Sequence, residues 1–251
     1  MTPRDWNAAT YERVSAPLEA MGRDVAWRLA LRGDETVLDA GCGTGRVTAA
    51  LLERLPEGRV IAVDGSPSMI EQAEARLGGR ADLRVVDLLE LEVEEPVDAI
   101  LSTATFHWIA DHDRLFARLH AALWPGGQLV AQCGGAGNVA AVKEAGRVIG
   151  RREPFAAHLR GWAEDWNFQT PEATRERLLA TGFADVWCWT NRVRVEPDDA
   201  EGYLGAICLG SFLERLPHEL HEAFVDAALE ELPHPLHIDY VRLNILARRP
   251  V

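Results

Sequence analysis

The chain has 251 residues, of which 47% are apolar and 26% charged, so it is long enough for one large α/β domain or a domain with a sizeable insertion. Its formal net charge of −13 disfavours a nucleic-acid partner, because phosphate binding requires a basic surface. Four widely spaced cysteines without a Cys-x-x-Cys pair provide neither a zinc site nor a disulfide framework and favour a reducing, cytoplasmic compartment, and no apolar run reaches membrane-spanning length.

Strands and helices alternate in the first half of the chain. Residues 1–33 are predicted to be helical, with one segment that begins at Pro17. Five short apolar runs predict strands at residues 36–40, 59–63, 83–86, 99–102 and 128–132. One helix is predicted to begin at Ser66-Pro67, and a helix over 113–123 to stop at Trp124-Pro125-Gly126-Gly127. This alternation, with nearly continuous apolar strands, predicts a parallel sheet covered on both faces.

The pattern changes after Cys133, where a run of glycines interrupts the alternation. Residues 138–170 carry helix signals, 171–179 predict a helix, and 198–231 predict two or three more. Strands are predicted at 184–195 and 238–247. These patterns divide the chain into an N-terminal helical segment (1–33), a core of alternating strands and helices (34–133), helical cap insertions (134–170 and 197–235) and the remainder of the core sheet (171–196 and 236–251).

The turn after the first predicted strand carries the most specific ligand signal. Asp39 ends that strand, and Gly41, Gly43 and Gly45 follow at alternate positions. Glycines let the backbone approach a ligand closely, but a dinucleotide fingerprint requires G-x-G-x-x-G, and here the third glycine position holds Arg46. Asp39 would repel a phosphate and suits a cation. This pattern favours S-adenosylmethionine, which has an ammonium group, a sulfonium and no phosphate.

Acidic residues end the next two predicted strands. Asp64 can accept two ribose hydroxyls in a fork, or it can be a plain helix N-terminal acid beside Gly65. Asp87 can accept the exocyclic amine of adenine while the backbone N–H of Leu88 reaches a ring nitrogen, or it can be a turn carboxylate. Met69 is placed to pack on the adenine face, although a lone methionine is equally consistent with simple core packing.

The loop after the fourth predicted strand contains His107, which is the general-base candidate because its pKa suits proton transfer near neutrality. The alternative is a histidine that hydrogen-bonds the methionine part of the cofactor or a backbone carbonyl. The loop lacks the acidic-Pro-Pro-aromatic run used to methylate exocyclic amines of bases. Asp111-His112-Asp113 resembles a metal triplet, but adjacent residues do not converge on one ion and helix capping explains the acids, so no metal site is predicted.

Aromatic and basic residues of the second half have two interpretations each. Four tryptophans are predicted to pack in the core or the cap, where they could equally wall an apolar substrate pocket: Trp162, Trp166, Trp187 and Trp189. Three arginines of the first insertion could pair with a substrate carboxylate or lie on a solvated helix face: Arg151, Arg152 and Arg160.

Taken together, segments 39–45, 63–64, 86–87 and 123–127 resemble the class I S-adenosylmethionine-dependent methyltransferases. Residues 5–11 and 106–112 are similar to the trans-aconitate methyltransferase-like small-molecule enzymes of that class. The resemblance implies an α/β, Rossmann-like, seven-stranded and mostly parallel sheet, with the last strand antiparallel and a helical cap over the cofactor. With the motifs above, the candidate cofactor-binding residues are Trp6, Tyr11, Asp39, Gly41, Cys42, Gly43, Asp64, Gly65, Met69, Asp87, Leu88, Thr103, Ala104 and His107.

The expected activity is methyl transfer from S-adenosyl-L-methionine to an oxygen, nitrogen or carbon nucleophile of a small molecule that can bear a carboxylate, with S-adenosyl-L-homocysteine as product. A carboxylate acceptor needs no base, whereas a phenol or enol would need one. The alternatives are a non-catalytic cofactor-binding regulatory subunit, a non-methylating rearrangement, and methylation of an acyl group on a carrier protein. We expect a monomer or homodimer that binds neither nucleic acid nor membrane.

Overall fold

The computed structural model describes residues 16–251, which form a seven-stranded sheet in the order β3-β2-β1-β4-β5-β7-β6. The strands are β1 (Thr36–Ala40), β2 (Arg59–Asp64), β3 (Asp82–Val85), β4 (Val97–Thr103), β5 (Leu123–Gly134), β6 (Ala184–Val195) and β7 (Ile238–Arg248). The first five are parallel, and β7 lies antiparallel between β5 and β6. The predicted mostly parallel sheet with an antiparallel last strand is confirmed.

Helices cover both faces of this sheet because its central strands are apolar on both sides. In β1, Leu38 packs in a cluster with Leu115 and Phe116 of one helix, whereas its neighbour Val37 packs on the opposite face with Val25 and Leu51. The α-helices span Ala16–Ala26, Arg46–Leu52, Pro67–Leu77, His112–Ala122, Ala140–Ile149, Ala156–Leu159, Pro171–Thr181, Ala200–Tyr203, Gly210–Leu213 and His221–Glu230. Three 3₁₀ turns (Leu88–Glu90, Phe106–Trp108, His218–Leu220) and a π-helical turn (Leu204–Cys208) complete the elements.

Side-chain caps start three of the helices where the sequence predicts them. Ser66 Oγ accepts the backbone N–H of Met69, with Pro67 as the first helical residue. Thr170 caps the helix that begins at Pro171 in the same way. Asp111 accepts the N–H of Arg114, so this acid of the apparent metal triplet is a helix cap.

The helix before β5 stops where the sequence predicts, but β5 begins earlier than the predicted strand at 128–132. The preceding helix ends at Ala122, and β5 begins directly at the fully buried Leu123, which pairs with Val97 of β4. The register then shifts, so that the next pair is Ala99 with Gln128. Residues 124–127 therefore form a bulge within the strand, because burial of Leu123 holds the chain in the sheet earlier than the glycines predict.

Two further expectations change in the second half of the chain. Trp187 is 71% exposed and Trp189 37% exposed, so their predicted core or cap packing is wrong; both lie on the edge strand β6. The region 198–231 contains shorter and more irregular helices than predicted. A second apolar cluster nevertheless joins the two insertions, with Phe155 and Phe212 both packed on Phe224. Within residues 16–251, no helix is long and apolar enough to cross a membrane.

Candidate cofactor and acceptor site

A cavity of about 610 Å³ lies between the carboxyl ends of the strands and the cap insertions, within the size range of small-molecule sites. Most of the predicted cofactor residues line it: Gly41, Gly43, Asp64, Gly65, Met69, Asp87, Leu88, Thr103, Ala104 and His107. Leu18, in the helix Ala16–Ala26, also lines the cavity, so the N-terminal region contributes to its wall. Trp6 and Tyr11 lie outside the described residues.

The glycine turn presents bare backbone to the cavity. Gly41 has φ 84, and a Cβ there would lie 2.1 Å from Thr105 Oγ1, so no larger residue fits. Gly43 has φ 55, and a Cβ there would meet no heavy atom within 4 Å. Because Gly43 lines the cavity, this open space is room in which a ligand can contact the backbone. The turn therefore fits a bound nucleoside cofactor.

Asp64 is held by the turn that it faces. Its Oδ2 accepts the N–H of Gly43 at 2.9 Å, and its Oδ1 accepts the N–H of Ser66 at 2.9 Å. A carboxylate can accept hydrogen bonds at both oxygens and in several directions, so these two backbone donors orient the group without defining its full set of partners. The position of Asp64 at the cavity fits the predicted ribose contact. Its hydrogen bonds to Gly43 and Ser66 fit the alternative, an acid that stabilises the turn and the helix start, and one carboxylate can serve both roles.

The third acidic strand end is also structurally engaged. Asp87 Oδ1 accepts the N–H of Leu89 at 2.9 Å and caps the 3₁₀ turn Leu88–Glu90. Met69 is 3% exposed and belongs to the core while it also lines the cavity. The adenine contacts of Asp87, Leu88 and Met69 stay predictions, since nearby hydrogen bonds explain part of this geometry without a ligand.

Asp39 and Cys42 are buried and do not line the cavity. Asp39 Oδ2 accepts the hydroxyl of Thr48 at 2.7 Å, and Oδ1 has no hydrogen-bond partner among the described residues. Burial raises the pKa of Asp39 to about 7, and the charge of Asp64 adds to this while the Thr48 hydroxyl opposes it. The pKa of this carboxyl is thus close to physiological pH, and Asp39 lies two residues before Gly41 in the chain. Burial likewise raises the pKa of the Cys42 thiol, which leaves it inert.

His107 has one ring nitrogen fixed by the backbone. The N–H of Gly134 donates to His107 Nδ1 at 3.2 Å, so the neutral ring carries its proton on Nε2. Burial lowers the pKa of His107 well below its ordinary value, and Arg242 and His112 contribute. Nearby Ala104 has a left-handed backbone, with φ 57, and donates its N–H to the Gln132 carbonyl. The loop therefore presents a neutral imidazole to the cavity.

Arg242, on β7, is 3% exposed and lines the cavity. The part of the cavity lined by His107, Trp108, Trp166, Phe168 and Arg242 is called the acceptor end below. Arg242 Nε donates to Gln132 Oε1 at 3.2 Å, and the guanidinium lies 5.8 Å from the centre of the Tyr240 ring. Sequence reasoning missed both residues. The signal in the sequence is that Tyr240, Arg242 and Asn244 occupy alternate positions, so they share one face of β7, with apolar Val241 and Leu243 between them.

The cap loop at 160–170 supplies aromatic walls and is tied to the His107 loop. Asn167 donates its backbone N–H to the His107 carbonyl at 2.8 Å and its amide to the Ile109 carbonyl at 2.9 Å. This places Trp166 and Phe168 at the cavity, stacked with ring centres 5.7 Å apart. Trp166 fits the predicted substrate-pocket wall. The arginines at 151, 152 and 160 do not line the cavity.

The apparent metal triplet is used structurally. Asp111 caps its helix, His112 Nε2 donates to the Phe106 carbonyl at 2.9 Å, and Asp113 pairs with Arg177. Among residues 16–251, no group of three or more His, Cys, Asp or Glu side chains is arranged to hold a metal ion.

The methyltransferase domain family matches residues 37–127, which contain the glycine turn and all three acidic strand ends. Trans-aconitate 2-methyltransferase of Methylobacterium radiotolerans is 31% identical over 229 residues, which cover 89% of this chain and 87% of that protein. The chain belongs to the S-adenosylmethionine-dependent methyltransferases. The corresponding protein of Methylobacterium nodulans is 32% identical over 183 residues, 73% of this chain and 67% of its own.

Solved structures agree with this methyltransferase fold. Phosphoethanolamine N-methyltransferase 2 of Haemonchus contortus in complex with S-adenosyl-L-methionine superposes with a TM-score of 0.64 at 18% identity, over 97% of this chain and 57% of that one. The [4+2]-cyclase SpnF superposes with a TM-score of 0.59 at 20% identity, over 93% of this chain and 82% of that one. The cofactor of the methyltransferase described here is S-adenosylmethionine.

Proposed function

We propose that this methyltransferase transfers the methyl group to a carboxylate oxygen of a small molecule. The observation that carries the proposal is Arg242, a buried guanidinium at the acceptor end of the cavity. A guanidinium matches a carboxylate in charge and geometry, and a buried site strengthens the pairing. The names of the trans-aconitate 2-methyltransferase relatives support a carboxylate acceptor independently.

His107 fits this chemistry as a donor and not as the general base. Its Nδ1 lone pair accepts the Gly134 N–H, so only the Nε2–H is free to act, and it can donate to an acceptor oxygen. The lowered pKa keeps the ring neutral at physiological pH. A carboxylate is already ionised at physiological pH and needs no base. A phenol or an enol would need a base, and His107 in this arrangement does not supply one.

Bound S-adenosylmethionine supplies an activated methyl on a positive sulfonium. In the proposed transfer the O–CH₃ bond forms as the S–CH₃ bond breaks, the sulfonium and carboxylate charges are both neutralised, and no proton moves. The protein's own contribution is binding and alignment: Asp64 orients the ribose, Asp87 and Leu88 take the adenine, and Arg242 with His107 aims the carboxylate. The cap loop, tied to the His107 loop through Asn167, forms one wall of this space.

The test incubates the protein with S-adenosylmethionine and a panel of carboxylic acids, and follows both S-adenosylhomocysteine and alkali-labile methyl ester. With S-adenosylmethionine held at saturation, methyl ester formation with a kcat/KM for the acid independent of pH between about 6 and 8 is expected, since neither the acceptor carboxylate nor His107 titrates there. Alkali-stable methylated products, or a requirement for a phenol or amine, would contradict carboxylate methylation. Cofactor binding without turnover of any acceptor would favour the regulatory alternative.

Two pairs of variants test the roles of the proposed carboxylate ligands. Arg242→Gln should lower kcat/KM by about 30-fold or more, because an acceptor charge loses its buried partner. Arg215→Gln, which changes an exposed arginine at the same end of the cavity, should have a smaller effect. His107→Gln keeps an N–H donor but no base, so it should retain much more activity than His107→Ala. Equal loss in both His107 variants would contradict the donor role.

A further inference from the structure

The acceptor end of the cavity combines one buried cation with aromatic walls. From this combination we infer that the acceptor is a monocarboxylic acid with an apolar aryl or alkyl body, and not a compact polycarboxylate. The inference rests on the proposed carboxylate methylation and names the substrate class within it. It assigns this chain an acceptor different from the trans-aconitate named for its relatives, although the sequences are similar.

Aromatic rings enclose the space beside His107 and Arg242. The rings of Trp108 and Trp166 lie 6.0 Å apart, Trp166 stacks on Phe168 at 5.7 Å, and Phe168 lies 5.5 Å from the His107 ring. All of them line the cavity. Such walls bury apolar surface favourably, but they offer few donors to additional carboxylates, which would lose water without compensation.

The charges around the cavity also oppose a polyanion. Its described lining contains more carboxylates than guanidinium groups, namely Asp64, Asp87, Asp165 and Glu214 against Arg215 and Arg242. The bound cofactor adds one net positive charge, from an ammonium and a sulfonium against one carboxylate. Asp64 and Asp87 are assigned to the cofactor, and Asp165 and Glu214 are exposed like Arg215, so their charges are screened. Among the described lining residues Arg242 is the one buried cation, so a second and a third acceptor carboxylate would have no buried cationic group of this part of the chain beside them.

Arg215 does not offer an equivalent second site. It is exposed, its guanidinium lies 5.9 Å from the centre of the Trp162 ring, and it is adjacent to Glu214 in the chain. A carboxylate held there would be shared with solvent and screened, which makes the interaction weak. Arg242, in contrast, is buried and close enough to His107 to lower the pKa of that ring. Within residues 16–251, a buried cation that can recognise anionic oxygen therefore lines the cavity at one position, Arg242.

The test compares trans-cinnamate and octanoate with trans-aconitate as acceptors for the full chain, with kcat/KM for methyl ester as the readout. Cinnamate and aconitate share a trans-alkenoic carboxylate, so they differ mainly in the body that it carries. We expect the better of the two apolar acids to exceed trans-aconitate by about tenfold or more. A preference for trans-aconitate would overturn the inference while leaving carboxylate methylation intact. Absence of methyl ester from all three acids would overturn both.

A variant pair tests the wall directly. Trp166→Leu should lower kcat/KM for the better apolar acid by about tenfold and change that for trans-aconitate far less, so the ratio of the two changes. Trp187→Leu is the matched control, because Trp187 is exposed on β6 and outside the cavity, and it should leave the ratio unchanged. Thermal unfolding of both variants checks that the fold is retained. An equal loss for both acceptors in Trp166→Leu would overturn the assigned apolar body.

Discussion

The buried carboxyl of Asp39 leads to a prediction in which stability and cofactor binding change in opposite directions. Its pKa rises from 3.8 to about 7 in the folded protein, because burial disfavours the charged form. At 1.36 kcal/mol per pH unit, this difference corresponds to roughly 4 kcal/mol as an upper limit. A raised pKa means that the folded protein binds the extra proton between these values, so the stability contributed at low pH is lost as pH rises through about 7.

Asp39→Asn removes this cost, since the amide is neutral and can still hydrogen-bond Thr48. The free energy of unfolding of the variant should exceed that of the wild type at pH 8, by up to roughly 4 kcal/mol, and the advantage should shrink towards pH 5. Urea unfolding at several pH values measures it. A difference between the two proteins that stays constant with pH would refute the raised pKa. Thr48→Val is the control, because losing its hydrogen bond should raise the pKa of Asp39 further.

Asp39→Asn also tests the prediction that the Asp39 carboxylate favours a cationic group of the cofactor. If the Asp39 charge supports the ammonium or sulfonium of the cofactor, Asp39→Asn should bind S-adenosylmethionine more weakly although it is more stable. In the wild type, binding should strengthen as pH rises through about 7, where Asp39 ionises. Calorimetric titration measures both. Unchanged affinity in the variant would leave Asp39 with a structural role alone.

Three further predictions concern residues that line the cavity. Asp64→Ala should weaken S-adenosylmethionine binding by about 1.5–3 kcal/mol in a calorimetric titration, and unchanged affinity would contradict the ribose contact. Gly41→Ala should lower mainly the stability, because its Cβ would meet Thr105. Gly43→Ala should lower mainly the cofactor affinity, because its Cβ would enter the cavity. A loss of affinity in Gly41→Ala and of stability in Gly43→Ala would refute this interpretation of the turn. His107 has a lowered pKa, so its contribution to stability is present above pH 6.5 and is lost on acidification, and His107→Gln should flatten the stability profile below that pH.

The cofactor half of the site could be predicted from the sequence because its determinants are local. β1 and β6 have the predicted bounds, and Gly41, Asp64 and Asp87 lie at or just after the carboxyl ends of successive strands. Parallel strands bring their carboxyl ends to one edge, so residues at those ends converge without knowledge of any tertiary contact.

The acceptor half could not be predicted because its contacts join distant parts of the chain. Arg242 meets Gln132 across 110 residues, and the hydroxyls of Tyr203 and Tyr240 lie 2.7 Å apart across 37 residues. The elements that carry the cap side of this site are short, and one is a π-helical turn at Leu204–Cys208, so they have no sustained hydrophobic period to read. Local sequence patterns therefore do not predict the residues of the acceptor end or the cap elements beside it.

Arg242 and Asn244 break the apolar pattern of β7 in a way that stability does not explain. Asn244 is fully buried and accepts from Gln132 at 2.8 Å and from Arg28 at 2.6 Å, and Gln132 in turn accepts from Arg242. Apolar residues at these positions would avoid the cost of removing a guanidinium and two amides from water. Polar groups that occupy a core despite this desolvation cost are usually part of a functional site. Here the network holds Arg242 in place at the acceptor end, where a mobile guanidinium would align a substrate carboxylate poorly.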